Sequence, residues 1–113
     1  MSRADFRVRL RGRNFWLADG EVVGRFAFDV AVFVCASDPE EAAVHAMQAL
    51  ADDDDLRDAL RNTADDPPLV FTVETTRLDP KLAPPPKRSA LELRPDDGRE
   101  PEPGLPEEPR ALA

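Results

Sequence analysis

The sequence predicts a small α+β domain, and three observations support that fold class. Large apolar residues occupy the even positions in 6–11 and again in 26–34, as in strands with one buried face, which predicts two strands at about 5–17 and 21–35. A helical pattern begins at Asp38, and a third stretch, 69–76, is rich in β-branched residues. The expected body has two layers, in the order β-β-α-β. A long antiparallel β-hairpin and a third strand pack on an acidic helical region.

The loop between the first two strands sets their expected register. A three-residue loop, Ala18-Asp19-Gly20, places glycine where a positive φ is needed. It also keeps even-numbered apolar residues opposite each other, whereas a two-residue loop would put the two apolar sets on opposite faces. The predicted cross-strand pairs are Leu17–Glu21, Gly12–Phe26, Leu10–Phe28, Arg9–Asp29, Val8–Val30 and Phe6–Val32.

The helical region has a clear start and an interruption. Asp38 is a suitable N-cap, Pro39 a suitable first residue, and Glu41 completes a capping box. Further along, a run of four aspartates breaks the apolar stripe, which predicts two helices at about 39–51 and 54–62. One bent helix is the alternative.

The rest of the chain is predicted to divide into a third strand and a tail. The core-facing residues of the third strand are expected to be Leu69, Phe71 and Val73. The domain is expected to span 1–78, with a disordered, charged, proline-rich tail at 79–113. Nine of the twelve prolines lie between Pro80 and Pro109, and no aromatic residue follows position 79. Within this tail, 89–93 is the stretch that could form a short docking element.

Composition excludes several classes of function. Residues 1–35 carry six arginines against four acids, whereas residues 36–66 carry ten acids against two arginines. This balance disfavours nucleic acid as a partner. No segment approaches the roughly 18 apolar residues of a membrane helix. A single cysteine rules out an intrachain disulfide, and together with the lack of a visible signal peptide it predicts a cytoplasmic protein.

No pattern predicts a catalytic site, a cofactor site or a metal site. His45 is the only histidine and lies on the predicted solvent face, and Cys35 has acids rather than cations nearby in sequence. The aspartate run lacks the alternating spacing of a calcium loop. A body of about 78 residues also has little room for a buried active site.

Two surfaces are candidates for binding a partner. The first is the aspartate run, and the second is the odd-numbered face of the hairpin, where arginines mix with aromatic residues. Trp16 either covers the end of the core or is exposed for recognition. The candidate residues are Asp52, Asp53, Asp54, Asp55, Arg7, Arg9, Arg11, Phe15, Trp16 and Phe33.

The expected function is that of a small non-enzymatic protein-interaction or regulatory module. Its partner would be a protein, and a basic one if the acidic region binds it. A second hypothesis is a homodimer formed through the odd face. The alternative is an acidic inhibitor, of immunity or antitoxin type, that blocks a basic nucleic-acid-handling partner. An RNA binder using the arginine-rich face is a weaker hypothesis. The element order resembles small antitoxins with a partial ribonuclease-H-like fold and half of a ferredoxin-like fold, a resemblance of layout that transfers no site residue.

Overall fold

The computed structural model describes residues 3–79, 87–96 and 110–111, and it confirms the α+β fold class. Antiparallel strands form one sheet in the order β4-β2-β1-β3-β5, with two helices against it. The elements in chain order are β1 (Ala4–Asp19), β2 (Val22–Ala36), α1 (Pro39–Ala51), α2 (Asp54–Ala59), β3 (Leu69–Arg77), β4 (Glu92–Pro95) and β5 (Arg110–Ala111).

The helical region begins where the sequence predicts and contains two helices. The Asp38 carboxylate accepts a hydrogen bond from the Glu41 backbone N–H at 2.8 Å. The Glu41 carboxylate reaches back to the Ser37 hydroxyl at 2.7 Å, one residue before the cap. Small side chains on α1, Ala42 and Ala46, are fully buried and let the helix pack closely on the sheet. Both α1 and α2 are therefore fixed by local capping and by a shared apolar core.

The predicted register of the hairpin is wrong. Asp19 pairs with Val22 around a two-residue loop, Gly20-Glu21, and the glycine at its first position has φ 65°. This residue order suits a type II′ turn. Towards the other end, the observed pairs are Gly12–Phe28, Arg11–Asp29, Leu10–Val30, Val8–Val32 and Phe6–Val34.

A β-bulge explains why the face pattern still suggested a three-residue loop. The register shifts between Gly12 and Phe15, where β1 carries one extra residue, and Asn14 there has φ 59°. A two-residue loop alone would separate the apolar sets, and the extra residue brings them back to one face. Beyond the bulge it is the odd-numbered residues of β1, Phe15 and Leu17, that are buried in the core.

A second irregularity changes the expected face of β3. Its register on β1 shifts between Arg9–Glu74 and Leu10–Thr72. Val70 lies opposite Gly12 and joins the main core, whereas Phe71 lies opposite Arg11 and is buried on the other face of the sheet. Of the predicted core residues Leu69, Phe71 and Val73, Phe71 is therefore buried but on the other face, and Leu69 and Val73 are only partly buried. The prediction of the face is wrong because Val70 and Thr72, opposite Gly12 and Leu10, are the residues that face the helices.

Part of the predicted tail belongs to the sheet, which corrects the domain boundary at 78. The Phe33 N–H donates to the Lys87 carbonyl at 2.9 Å, and the Ser89 N–H donates to the Ala31 carbonyl at 2.8 Å. β4 then pairs with Phe26–Asp29 of β2. We call residues 87–96 the docked segment. The disorder predicted for 80–86, 97–109 and 112–113 falls outside the described residues.

Candidate functional site

The aspartate run, Asp52–Asp55, joins the two helices, and its members have different roles. Both carboxylate oxygens of Asp52 accept from the Gln48 side-chain amide at 3.1 Å. Asp53 caps α2 by accepting from the Leu56 N–H at 3.1 Å, and its other oxygen accepts from Arg88 Nε at 2.5 Å. Asp54 and Asp55 lie exposed in the first turn of α2. Asp53 is thus a structural residue, and its three neighbours remain open to solvent.

The ion pair at Asp53 also sets its protonation. The hydrogen bond from the Arg88 side chain lowers the pKa of Asp53, and this effect outweighs the partial burial that opposes it. The carboxylate therefore stays charged and holds the docked segment against the junction between α1 and α2. Among the described residues, Asp53 is the one member of the run that pairs with an arginine.

The exposed surface of the helical region is mostly negatively charged. Within residues 36–66, the exposed charged side chains are eight acids and two arginines. Exposed charges of one sign act together within about 8 Å at physiological salt and attract a partner of opposite charge. The exposed acids are Asp38, Glu40, Asp52, Asp54, Asp55, Asp58, Asp65 and Asp66.

Two depressions flank the aspartate run. One, of about 500 Å³, lies between the end of α1 and the docked segment and contains Phe33, Leu50, Lys87 and Arg88 beside Asp52–Asp54. The other, of about 380 Å³, lies between α2 and β4 and is mostly apolar. Phe33, which the sequence places on the odd face of the hairpin, is half-buried and lines the first depression.

The second face of the sheet, turned away from the helices, is occupied by ion pairs. Arg11 Nε lies 2.7 Å from Asp29 Oδ1, and Arg94 reaches the other oxygen of Asp29 at 3.1 Å. Burial by itself raises the pKa of Asp29, but the hydrogen bonds and charges of Arg11 and Arg94 outweigh it and lower that pKa. Phe71, opposite Arg11 in the sheet, is almost fully buried. Arg11 is thus part of the structure rather than an open binding residue.

Arg7 and Arg9 are more open than Arg11, but acids lie among them. Each lies 3.7 Å from Glu74, and both side chains are nearly half exposed. They line a shallow depression of about 400 Å³ together with Asp29, Ser89 and Glu92, among other residues. These carboxylates offset the arginine charge, so this part of the face does not present a purely basic surface.

The structure removes Phe15 from the candidate surface. The bulge turns Phe15 towards the helices, where it is fully buried and meets Phe28 in a T-shaped contact with ring centroids 4.6 Å apart. The predicted exposure of Phe15 on the odd face is therefore wrong, since alternation changes parity at the bulge. Trp16 is half-buried, and its indole N–H donates to Asp66 at 3.2 Å.

Asn14 is the central polar residue that the sequence analysis missed. Its side-chain amide donates to Asp66 at 2.7 Å, its side-chain oxygen accepts from Arg25 at 2.8 Å, and its backbone N–H donates to Asp96 at 2.8 Å. It therefore joins both long strands, the segment before β3 and the docked segment. Two features of the sequence indicate a bulge at this position. The apolar residues of β1 change from even numbers at Leu10 to odd numbers at Phe15, and the asparagine between them tolerates the positive φ that a bulge can require.

His45 and Cys35 are both exposed at the surface, Cys35 with a free thiol. His45 Nδ1 lies 3.4 Å from the carbonyl oxygen of Cys35 and 4.0 Å separates its Nε2 from Glu41, which is an ordinary surface arrangement. In residues 3–79, 87–96 and 110–111, no three His, Cys, Asp or Glu side chains group in a way that could hold a metal. Neither helix in that part of the chain is long and apolar enough to cross a membrane.

Comparison with known proteins supplies no relative from which a site could be transferred. The chain matches no protein-family model, no curated protein and no solved structure.

Proposed function

We propose that this protein is a small non-enzymatic interaction module that binds a basic protein partner through its acidic helical region, residues 36–66. The observation that carries the proposal is the set of eight exposed acids against two exposed arginines in that region. Asp52, Asp54 and Asp55 form its centre, because they lie together at the junction of α1 and α2 and stay solvent-exposed.

The charge arrangement favours recognition by steering. A concentrated negative surface raises the rate at which a basic partner associates, and salt weakens the effect. The second face supports such a role less well, because Asp29, Glu74 and Glu92 lie beside its arginines. An RNA-binding function through Arg7 and Arg9 is disfavoured for the same reason.

An acidic inhibitor that covers the basic site of a nucleic-acid-handling protein is the more specific form of this proposal. Exposed carboxylates on one layer of the fold would occupy the positions that phosphates take on such a partner.

A homodimer through the second face has less support, since Phe15 lies in the core and not on that face. Light scattering of the full chain at micromolar concentration tests it, and a monomer throughout discards it.

The proposal is tested with the triple variant Asp52→Asn, Asp54→Asn, Asp55→Asn in the full chain. Asp53 is left unchanged because it caps α2 and pairs with Arg88. Partners captured by cross-linking to the wild-type chain are identified by mass spectrometry, and their association rates are then measured at low and physiological salt. We expect the triple variant to associate about tenfold more slowly at low salt.

The matched control is the double variant Arg7→Gln, Arg9→Gln on the second face. Its association rate should equal that of the wild-type chain. If the arginine variant loses binding and the triple variant keeps it, the proposal is wrong and the site moves to the second face. A titration of both variants with single-stranded RNA then tests the RNA-binding alternative.

A further inference from the structure

The helices cover the sheet unevenly near the hairpin loop. α1 has 13 residues, whereas α2 has six and ends at Ala59. Between α2 and β4 the helix side of the sheet remains open as the groove of about 380 Å³. We call this the α2–β4 groove. Its apolar wall includes Phe26, Leu56, Leu91 and Leu93, and Asp55 is the charged residue of its lining.

Apolar side chains in and beside this groove lack the cover that similar residues have elsewhere in the sheet. Leu93 pairs with Phe28 and so shares the helix side of the sheet, yet it is 49% exposed, whereas Phe28 is fully buried. Strand alternation also places Val22, which is 69% exposed, on this side at the end of the hairpin. The apolar lining of the groove, with Leu93 half exposed, is surface of the kind that marks sites of interaction.

The negative charge around the groove favours a positively charged ligand. Asp55 lines the groove, and Asp54, Arg57 and Asp58 are exposed on the same short helix, which leaves α2 with a net negative charge. Among residues 3–79, 87–96 and 110–111, no lysine or arginine lines the groove. The full chain has a net charge of −8, which disfavours a second copy of itself, and anionic membrane surfaces are disfavoured on the same ground. An apolar side chain flanked by lysine or arginine matches both the wall and the rim.

We infer that the α2–β4 groove binds a basic amphipathic helix of the partner, with a leucine-sized side chain in the groove and lysines or arginines on the aspartates. The side chains of Phe26 and Leu93 line the groove from the helix side of the sheet, where α2 already packs, so a helix laid into it suits the geometry better than a strand added at the edge of β4. The inference rests on the proposed function, because it names the part of the basic partner that the acidic helical region would recognise.

The test uses the full chain and three designed 14-residue peptides. The first presents leucines on one helical face and lysines on the other, the second replaces the leucines by alanine, and the third replaces the lysines by glutamate. Binding is measured by fluorescence anisotropy at low and moderate salt. We expect the leucine–lysine peptide to bind and each altered peptide to bind at least about tenfold more weakly.

Leu93→Gln is the variant that tests the groove, and Val44→Gln is its control. Val44 is 55% exposed on α1, so the two changes are similar in chemistry and exposure. We expect Leu93→Gln to weaken the leucine–lysine peptide about five- to tenfold, and Val44→Gln to change it less than twofold. Ala59→Leu, which fills the groove from α2, gives a second test if Leu93→Gln unfolds more easily.

The outcomes separate this inference from the proposed function. Equal binding by Leu93→Gln, Ala59→Leu and wild type overturns the groove, and the proposed function survives if the triple asparagine variant alone loses binding. If the groove variants lose peptide binding and the triple asparagine variant keeps it, the partner is not recognised by its basic charge. Both proposals are then wrong about a basic partner. If Leu93→Gln instead changes the oligomeric state of the chain alone, the groove is an interface between copies and the inference is wrong.

Discussion

The two faces of the sheet bury their residues by different means. On the helix side, Phe15, Phe28 and Leu10 are buried against the apolar side chains of α1 and α2. On the second face no helix is present among the described residues, and Phe71 is instead buried on a face whose arginines pair with Asp29 and Asp96. The difference shows that alternating arginines on a strand can be part of the structure rather than a binding surface.

This comparison has a simple physical basis. An antiparallel sheet covered on one side leaves a second face to water, and long arginine side chains cover apolar surface there with their methylene groups. The side chains of Arg11 and Arg13 are each only 14% exposed. The carboxylates of Asp29 and Asp96 fix the charged ends of these side chains in place. Truncating a side chain on the second face should therefore cost less stability than truncating one on the helix side, except at Phe71, which is almost fully buried.

The largest effect is expected for Phe15→Ala. Phe15 is fully buried and stacks edge-on against Phe28, so truncation should lower the free energy of unfolding by about 3–5 kcal/mol. Chemical denaturation followed by circular dichroism measures it. Phe33→Ala is the matched control because Phe33 is half-buried, and its cost should be clearly smaller. Equal losses would mean that the two faces do not differ as described.

The bulge that links the two faces should rank second. Asn14→Gly keeps a residue that tolerates the positive φ but removes the side-chain bonds to Asp66 and Arg25, which should cost about 1–2 kcal/mol. Asn14→Ala loses the same bonds and adds strain at φ 59°, so its cost should be about 1 kcal/mol greater. Urea denaturation of both variants measures the difference. An alanine variant as stable as the glycine variant would contradict the role given to the backbone.

The helical region and the bulge differ in how well the sequence predicts them. The start of α1 at Asp38-Pro39 and the break at the aspartate run are local signals, and both were correct. A single alternating pattern along β1 does not predict the bulge at Asn14, because the buried residues change from even to odd numbers between Leu10 and Phe15.

The proline-rich neighbours of the docked segment predict a tail over the whole of its length. Only the short stretch 89–93 has a pattern that predicts docking. The attachment of the docked segment depends on Arg88, Arg94 and Asp96, which contact residues far away in sequence. Of the candidate site residues, Asp52, Asp54 and Asp55 are exposed as expected, whereas Asp53, Arg11 and Phe15 serve the fold. Local pattern cannot show which charged side chain finds a distant partner.

A smaller effect is expected within the second face itself. A double-mutant cycle with Arg11→Gln and Asp29→Asn should give a coupling energy of about 1 kcal/mol, since the pair is 2.7 Å apart and partly shielded from solvent. The cycle with Arg9→Gln and Glu74→Gln should give almost none, because that pair is 3.7 Å apart and nearly half exposed. A coupling between Arg9 and Glu74 as large as that between Arg11 and Asp29 would contradict this order.

The smallest effect is local and depends on pH. The pKa values of Asp53 and Asp29 are lowered in the folded protein, by Arg88 and by Arg11 with Arg94. Their contribution to stability is therefore complete above the unfolded carboxyl pKa of about 3.9 and is lost as the pH falls through the lower folded values. Below about pH 4 the docked segment should open more often, before the sheet unfolds.

Amide hydrogen exchange measured by NMR can follow that opening residue by residue. The N–H groups of Phe33 and Ala31 donate to Lys87 and Ser89 of the docked segment, so their protection should fall first on acidification. The amide of Arg61 donates to the Trp16 carbonyl rather than to this segment, and serves as the control. In Arg88→Gln the protection of Phe33 and Ala31 should already be lower at neutral pH and depend less on acid, because the ion pair with Asp53 is absent. Protection at Phe33 that falls only together with that of Arg61 would mean that apolar contacts, rather than these carboxylates, hold the segment on β2.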